Sequence, residues 1–432
     1  MSSEALGRTW SPSSDEESCF GIRSSSASLP VVAEPQGYDR LLLLLVLVAM
    51  GFGVVMVYSA SLIREGVAVD AAGVMRLTGN SEALLLRTVL NVLVGLGALV
   101  LALKIPVGWY HRHAYLLLTL AILLLAGLIP FGTTVNNSTR WYNLGFFRFQ
   151  PSELAKLVFI IYVSFSMVKK ARKIRNFSTG FFPHLVVLGV LVMFCLKQPD
   201  LGTSAMLGGI MILMLLVGGT RFLNVVIVSA FVIPLLGYII SMSDMRVNRI
   251  LVFLDPWRYC DKPYGYHLCQ SLEGVVTGGV TGQGLGLGAK KLFFLPEAHT
   301  DFIMAIGTQE LGLLGLAGVV LLFVLIGWRG LRIAYRATSL FERFLAFGLT
   351  LQLVLQASVN LGVITGVLPT KGLTLPFISY GGSSMLFSAF SVGILLRISM
   401  GLPLVEKLPP TRVPPGAGPL RRLRMRLWEA IR

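Results

Sequence analysis

Ten apolar runs divide the chain, at roughly residues 40–61, 84–103, 114–131, 153–168, 183–197, 202–219, 222–242, 302–327, 342–368 and 382–401. A helix needs about 20 mostly apolar residues to cross a bilayer, so each run predicts a spanning helix. The fifth run is short, and only a tight turn separates it from the sixth. The runs are apolar on every side, so periodicity does not set how each helix is rotated. The longest interruption, 243–301, falls between the seventh and eighth runs.

Basic residues orient this pattern. Lys169, Lys170, Arg172, Lys173 and Arg175 follow the fourth run, and Arg329, Arg332, Arg336 and Arg343 follow the eighth. Arg421, Arg422, Arg424 and Arg426 crowd the C-terminal tail. Ten spans put all three groups on one side, and short cationic loops mark the cytoplasm. The expected fold is therefore an all-α polytopic membrane protein with ten transmembrane helices and both termini cytoplasmic. Segment 243–301 becomes a large extracytoplasmic loop between helices 7 and 8.

Composition agrees, with 54% hydrophobic and 13% charged residues. The net charge of +16 would suggest nucleic acid in a soluble protein. Here the cations sit in short loops and tails, so anionic membrane lipids are the expected partner and nucleic acid is not. Ser-rich residues 1–38 read as a disordered tail, and no cleavable signal peptide opens the chain. The first apolar run serves as the targeting signal. The basic tail 402–432 ends in "PLRRLRMRLWEAIR", an ordinary cationic tail or a surface-lying amphipathic helix.

The unusual polar residues fall in loops that this topology places outside. "QPSELAK" reads as a helix start, with Pro151 at the first position and Glu153 near the positive helix end. Lys156 can pair with Glu153 three residues away. Alternatively, Arg140, Gln150, Ser152, Glu153 and Lys156 serve a ligand headgroup. "KQPDLGT" places Asp200 in the fifth–sixth turn. "TKGLTLPFISYGGSS" joins Lys371, a phosphate-binding candidate, to Ser379 and Gly381 beside the last span. Irregular backbone of this kind is tolerated at membrane depth where it is buried or lines a watery cavity.

Gln352, Gln356 and Asn360 recur every four residues on the ninth span, and Glu310 lies within the eighth. Such a stripe serves helix–helix hydrogen bonding or a cavity wall, and an intramembrane carboxylate is a functional candidate. "TGQGLGLG" at 281–288 lacks the strand and Lys of a nucleotide loop and reads as flexible packing. Asn136 and Asn137 match glycosylation acceptors only by pattern. Glu297, His299 and Asp301 in "LPEAHTDF" lack the second nearby histidine that a zinc site would need. Cys260 and Cys269 share one loop; an oxidising compartment would permit a disulfide, though spacing alone does not set its geometry.

The stretches "STRWYNLGFFRFQPSELAKL", "QPDLGT", "GQGLGLGAKKLFFLPEAHTDFI", "QELGLLG" and "GVLPTKGLTLPFISYGGSS" together resemble the FtsW/RodA/SpoVE, or SEDS, family, over about residues 38–400. "PEAHTDFI" and "PTKGLTLPFISYGG" are more similar to its division branch than to its elongation branch. The resemblance implies a bacterial inner-membrane enzyme at the division septum that polymerises lipid II into glycan strands. It implies a class B penicillin-binding protein, the septal transpeptidase, and other divisome proteins as partners. It also implies that Asp301 is catalytic. Two departures stand out. Gln309-Glu310 replaces the usual acidic pair before Leu-Gly, and the Cys260–Cys269 insertion is atypical.

The chemistry such a reaction needs is simple. One carboxylate takes the acceptor hydroxyl's proton as general base, which we assign to Asp301. Cations hold the departing pyrophosphate. Arg140 and Lys371 are the expected clamps, with Lys156 and Lys290 as further candidates and Glu297 and His299 as neighbours of the base. No cofactor is certain, though a divalent cation, Mg or Mn, is a candidate aid to leaving-group departure. The competing readings are a lipid II flippase, which needs a polar route to the cytoplasmic side, and a non-catalytic scaffold for a septal transpeptidase.

Overall fold

The structure is a computed structural model describing residues 37–61, 67–69, 75–77, 80–135, 138–143, 145, 148–286 and 300–401. Each apolar run is a helix. These are α1 (Arg40–Ser61), α2 (Asn80–Lys104), α4 (Ala114–Phe131), α5 (Pro151–Lys169), α6 (Phe182–Lys197), α7 (Leu201–Val217), α8 (Phe222–Ser241), α11 (Ile303–Arg336), α12 (Leu340–Ile364) and α13 (Gly382–Ser399). Among the described residues nine spans are long and apolar enough to cross a membrane, and α7 is a shorter apolar helix. The chain is therefore a multi-pass, predominantly helical membrane protein. Short α3 (Val107–Arg112) links α2 to α4.

Burial ranks the helices. The α5 window is 83% buried and that of α13 72%, against 11% for α8. Helices α5, α12 and α13 thus form the middle of the bundle, and α8 stands on its outside. Small antiparallel strands fill two connections: β1 (Val67–Val69) with β2 (Met75–Leu77), and β3 (Thr133–Val135), β4 (Ser138–Asn143) and β5 (Arg148–Phe149) in that order. Arg329, counted above among the loop cations, is bidentate to Asp39 through Nε and Nη2, and so ties the start of α1 to α11.

The long 243–301 segment is not a plain loop. It carries α9 (Asp244–Leu254), a single 3-10 turn at Trp257–Tyr259 and α10 (Pro263–Gly278). Helix α10 packs along α11, and α9 packs against α10. The glycine-rich stretch after α10 is also more ordered than its composition suggests. Helix α11 breaks at Gly312, whose φ of 69° and ψ of −166° leave the helical region. The break releases the carbonyls of Gln309 and Glu310, which accept from the Gln283 and Gly284 amides at 3.0 Å each. Leu313 and Leu314 N–H in turn donate to Gly279 and Val280. Backbone groups at membrane depth must find partners inside the protein, and residues 279–284 are pinned in this way. The Glu310 carboxylate accepts from Ser59 Oγ at 2.8 and 2.7 Å, joining α11 to α1.

The α12–α13 connection also runs inside the bundle. Leu373, Leu375, Phe377 and Ile378 are all buried, and the Phe377–Ile378 backbone lies against Gly53 in the middle of α1. This is irregular backbone at depth, walled by protein.

Cys260 and Cys269 form a disulfide. It ties the turn after α9 to α10. Closing a loop of this length removes enough unfolded-chain entropy to stabilise by about 2–3 kcal/mol. Cys260→Ser should therefore lower the unfolding midpoint in detergent. Non-reducing mass analysis of the 243–301 peptides should recover the bridge, and free thiols on both cysteines would reject it.

Candidate functional site

The site is assembled where four connections meet at one end of the bundle. Asp301 lies in the turn that leads into α11, immediately before the helix start. Asn360 on α12 holds this turn through its amide, donating to the Asp301 carbonyl at 2.9 Å and to the Leu373 carbonyl at 2.6 Å. The Asp301 carboxyl thereby comes against the 371–373 backbone. A Cβ placed on Gly372 would lie 2.9 Å from Oδ2 of Asp301. A methyl group there would crowd that oxygen alone, so the end of the Asp301 side chain would have to shift.

Lys371 precedes this glycine. It is half-buried, and burial pushes its ammonium below the usual lysine range, with Asp200 opposing the shift and Arg249 adding to it. Arg249, from α9, is exposed; partial desolvation and the charge of Arg140 lower it, while Asp301 favours its charged form. Lys371 is thus coupled to Asp200 and Arg249, and Arg249 to Asp301 and Arg140. Among the described residues no hydrogen bond or close ion pair takes up the Lys371 ammonium or the Arg249 guanidinium. Both are available to an anion.

The depressed Lys371 pKa gives a pH expectation. A folded-state value below 10.5 means that the ammonium is lost at lower pH than an exposed lysine's, so an anion-binding role fades early on the alkaline side. Lys371→Arg, which stays charged throughout, should move the alkaline limb of the activity profile to higher pH. An unmoved limb would remove Lys371 from anion binding.

The other candidates are placed differently. Arg140 sits on β4 and donates from Nε to the Gln198 carbonyl and from Nη2 to that of Pro199, at 3.1 and 2.5 Å. Two of its donors brace the α6–α7 turn, and the rest remain for a ligand. Asp200 caps α7, accepting from Thr203 N–H and Oγ1. Lys156 is fully buried, and its Nζ donates to Glu153 Oε1 at 2.9 Å and Gln356 Oε1 at 2.8 Å. It holds α5 to α12 inside the bundle.

Gln150 turns its side chain onto Ser152. Ser379 Oγ accepts from the Leu375 amide within the buried connection, and Gly381 forms the N-cap of α13. The structure therefore gathers Asp301, Lys371, Asp200 and Arg140 and sets Gln150, Ser152, Glu153, Lys156 and Ser379 into supporting bonds. Lys290, Glu297 and His299 lie outside the described residues.

Two residues escaped the sequence reading. Arg249 belongs to "RVNRILVF", where Arg246 and Arg249 stand three residues apart in the long loop; long loops translocate largely regardless of charge, so such cations carry no topological signal. Asn360 was seen only as part of a polar stripe. Among the described residues no three His, Cys, Asp or Glu side chains converge, and the two carboxyl groups present are each accompanied by cationic side chains. Arg249, Lys371 and the remaining donors of Arg140 are the positive groups that this end of the bundle offers to an anion.

Residues 39–402 match the family model of the cell cycle proteins FtsW, RodA and SpoVE. A relative from Geobacter metallireducens, named "Probable peptidoglycan glycosyltransferase FtsW", is 42% identical over 368 residues, covering 85% of this chain and 96% of its own length. One of the same name from Allochromatium vinosum is 39% identical, covering 87% and 93%. A solved chain from a peptidoglycan synthase complex, described as coordinating polymerization and crosslinking, superposes with a TM-score of 0.69 at 26% identity, covering 84% of this chain and 97% of that one. Thermus thermophilus rod shape determining protein RodA gives 0.60 at 25% identity, covering 84% and 96%.

Proposed function

The chain belongs to the FtsW/RodA/SpoVE family, and from that premise we propose that it is a peptidoglycan glycosyltransferase that polymerises lipid II during bacterial cell division. The observation that supports this reading is the Asp301 carboxyl set against Gly372, the residue that follows Lys371, with Arg249 coupled to both Asp301 and Lys371. In this mechanism Asp301 accepts the proton of the acceptor sugar's 4-hydroxyl as that oxygen attacks the anomeric carbon of the donor. The anomeric carbon–oxygen bond to the pyrophosphate breaks, and its electron pair leaves with undecaprenyl pyrophosphate. Arg249, Lys371 and the uncommitted donors of Arg140 hold the departing negative charge. Pyrophosphate leaves readily, so a second carboxylic acid of the kind that glycosidases use is not required.

The architecture we adopt has a cytoplasmic tail at 1–38, the ten-helix domain at 39–401 with an external 243–301 segment, and a basic cytoplasmic tail at 402–432. The site then faces outward, where lipid-linked sugars meet the membrane surface at the septum. A class B penicillin-binding protein is the proposed partner, a pairing supported by the synthase complex whose chain superposes on this one. Other division proteins would regulate the pair.

Purified protein with its partner transpeptidase and labelled lipid II tests this function. Glycan polymer is the expected product. Translocation of lipid II across vesicles with no polymer under any condition would replace the reading with a flippase.

A further inference from the structure

The polar stripe on α12 is not uniform. Gln356 connects Lys156 to the Thr374 carbonyl, whereas Asn360, 2% exposed, reaches two backbone carbonyls from separate segments. Both acceptors are carbonyl oxygens, so the amide cannot be turned over without setting its own oxygen against theirs. In the orientation this fixes, Oδ1 is buried with no hydrogen-bond partner among the described residues. A buried acceptor left unpaired is unfavourable. Asn360 keeps this arrangement, and with it the joint between the Asp301 turn and the 371–373 segment.

We infer that Asn360 is a positioning residue for Asp301, its amide clamping the Asp301 and Leu373 carbonyls so that the Asp301 carboxyl seats on Gly372. The inference rests on Asp301 acting as the base. Asn360 touches neither the reacting atoms nor the pyrophosphate in this scheme. It sets where the carboxyl stands, and Gly372 sets how closely the backbone can approach it.

Displacement of a catalytic group by 1 Å can lower a rate about 100-fold. Asn360→Ala should therefore reduce kcat by roughly 10- to 100-fold, with KM for lipid II within about twofold of wild type. Asn360→Ser, whose hydroxyl can donate to only one carbonyl, should fall between the two. Gly372→Ala should also lower kcat. Combined with Asn360→Ala it should lose less than the product of the single losses, because both changes displace the same carboxyl.

The experiment measures lipid II polymerisation by purified full-length variants with the partner transpeptidase, together with unfolding midpoints and retention of labelled lipid II. Asp301→Asn is run beside them. A kcat loss in Asn360→Ser at unchanged KM, retention and midpoint supports the inference, and this variant decides if Asn360→Ala does not fold. Losses of kcat, retention and midpoint in parallel, or fully multiplicative losses with Gly372→Ala, mean a packing role and overturn it. Wild-type kcat in both Asn360 variants, with Asp301→Asn inactive, overturns it while leaving the base assignment intact. An active Asp301→Asn brings down the base reading itself.

Discussion

Asp301→Asn should lower lipid II polymerisation by about 10²- to 10⁴-fold, the range in which positioned general bases contribute. The substitution keeps the size and shape of the side chain but removes its negative charge and its capacity to accept a proton. The backbone carbonyl of residue 301 is unchanged, so its bond from Asn360 Nδ2 survives, and the turn into α11 keeps its place. The variant should therefore fold, insert and retain labelled lipid II at wild-type levels. Single-turnover polymerisation, followed by gel resolution of glycan lengths, reads the chemical step directly. A rate within about threefold of wild type would take Asp301 out of the chemistry and favour the scaffold reading.

Arg249→Ala should rank next, with a loss of about 10²- to 10³-fold, the usual scale for removing one donor to developing negative charge. Among the described residues no hydrogen bond or close ion pair commits its guanidinium, so truncation removes an anion ligand without breaking a fold contact. Arg140→Ala makes a useful contrast, because it also deprives the Gln198 and Pro199 carbonyls of their donor. It should lower the unfolding midpoint as well as activity. Arg249→Lys should recover part of the loss, since it restores the charge without the planar fork. An Arg249→Ala enzyme with wild-type turnover would hand the pyrophosphate to Lys371 and Arg140 alone.

The sequence and the structure agree where the controlling physics is local. Whether a segment crosses a membrane depends on its own length and hydropathy, and each of the ten apolar runs is a helix close to its expected bounds. One helix start was legible for the same reason: Pro151 opens α5, whereas Asp200, read only as a turn residue, caps α7 in the structure. The motif around Asp301 was legible through its resemblance to a family, which places a residue in a role without placing it in space.

The partners of each polar group were not legible, because apolar runs without periodicity leave helix rotation open. Lys156 had two sequence-level roles, a salt bridge with Glu153 and a headgroup donor. Packing of α5 against α12 brings its ammonium to Gln356 and seals it from solvent. The glycine-rich stretch read as flexible until the break at Gly312 supplied carbonyls for the Gln283 and Gly284 amides. Arg249 lies in a long loop by sequence; the structure puts it on α9, packed against α10, where it couples electrostatically to Arg140 and Asp301.

What the sequence determined by itself is a helical membrane protein and the turn that carries its carboxylate, since burial in lipid is dictated residue by residue along each run. Which side chains surround that carboxylate was decided only by the tertiary structure. Asp301, Gly372, Arg249 and Asn360 lie on separate elements, and their meeting depends on helix rotation and on backbone bonds between distant segments. Long-range packing sets those quantities, and the hydrophobic pattern of a single segment does not encode them.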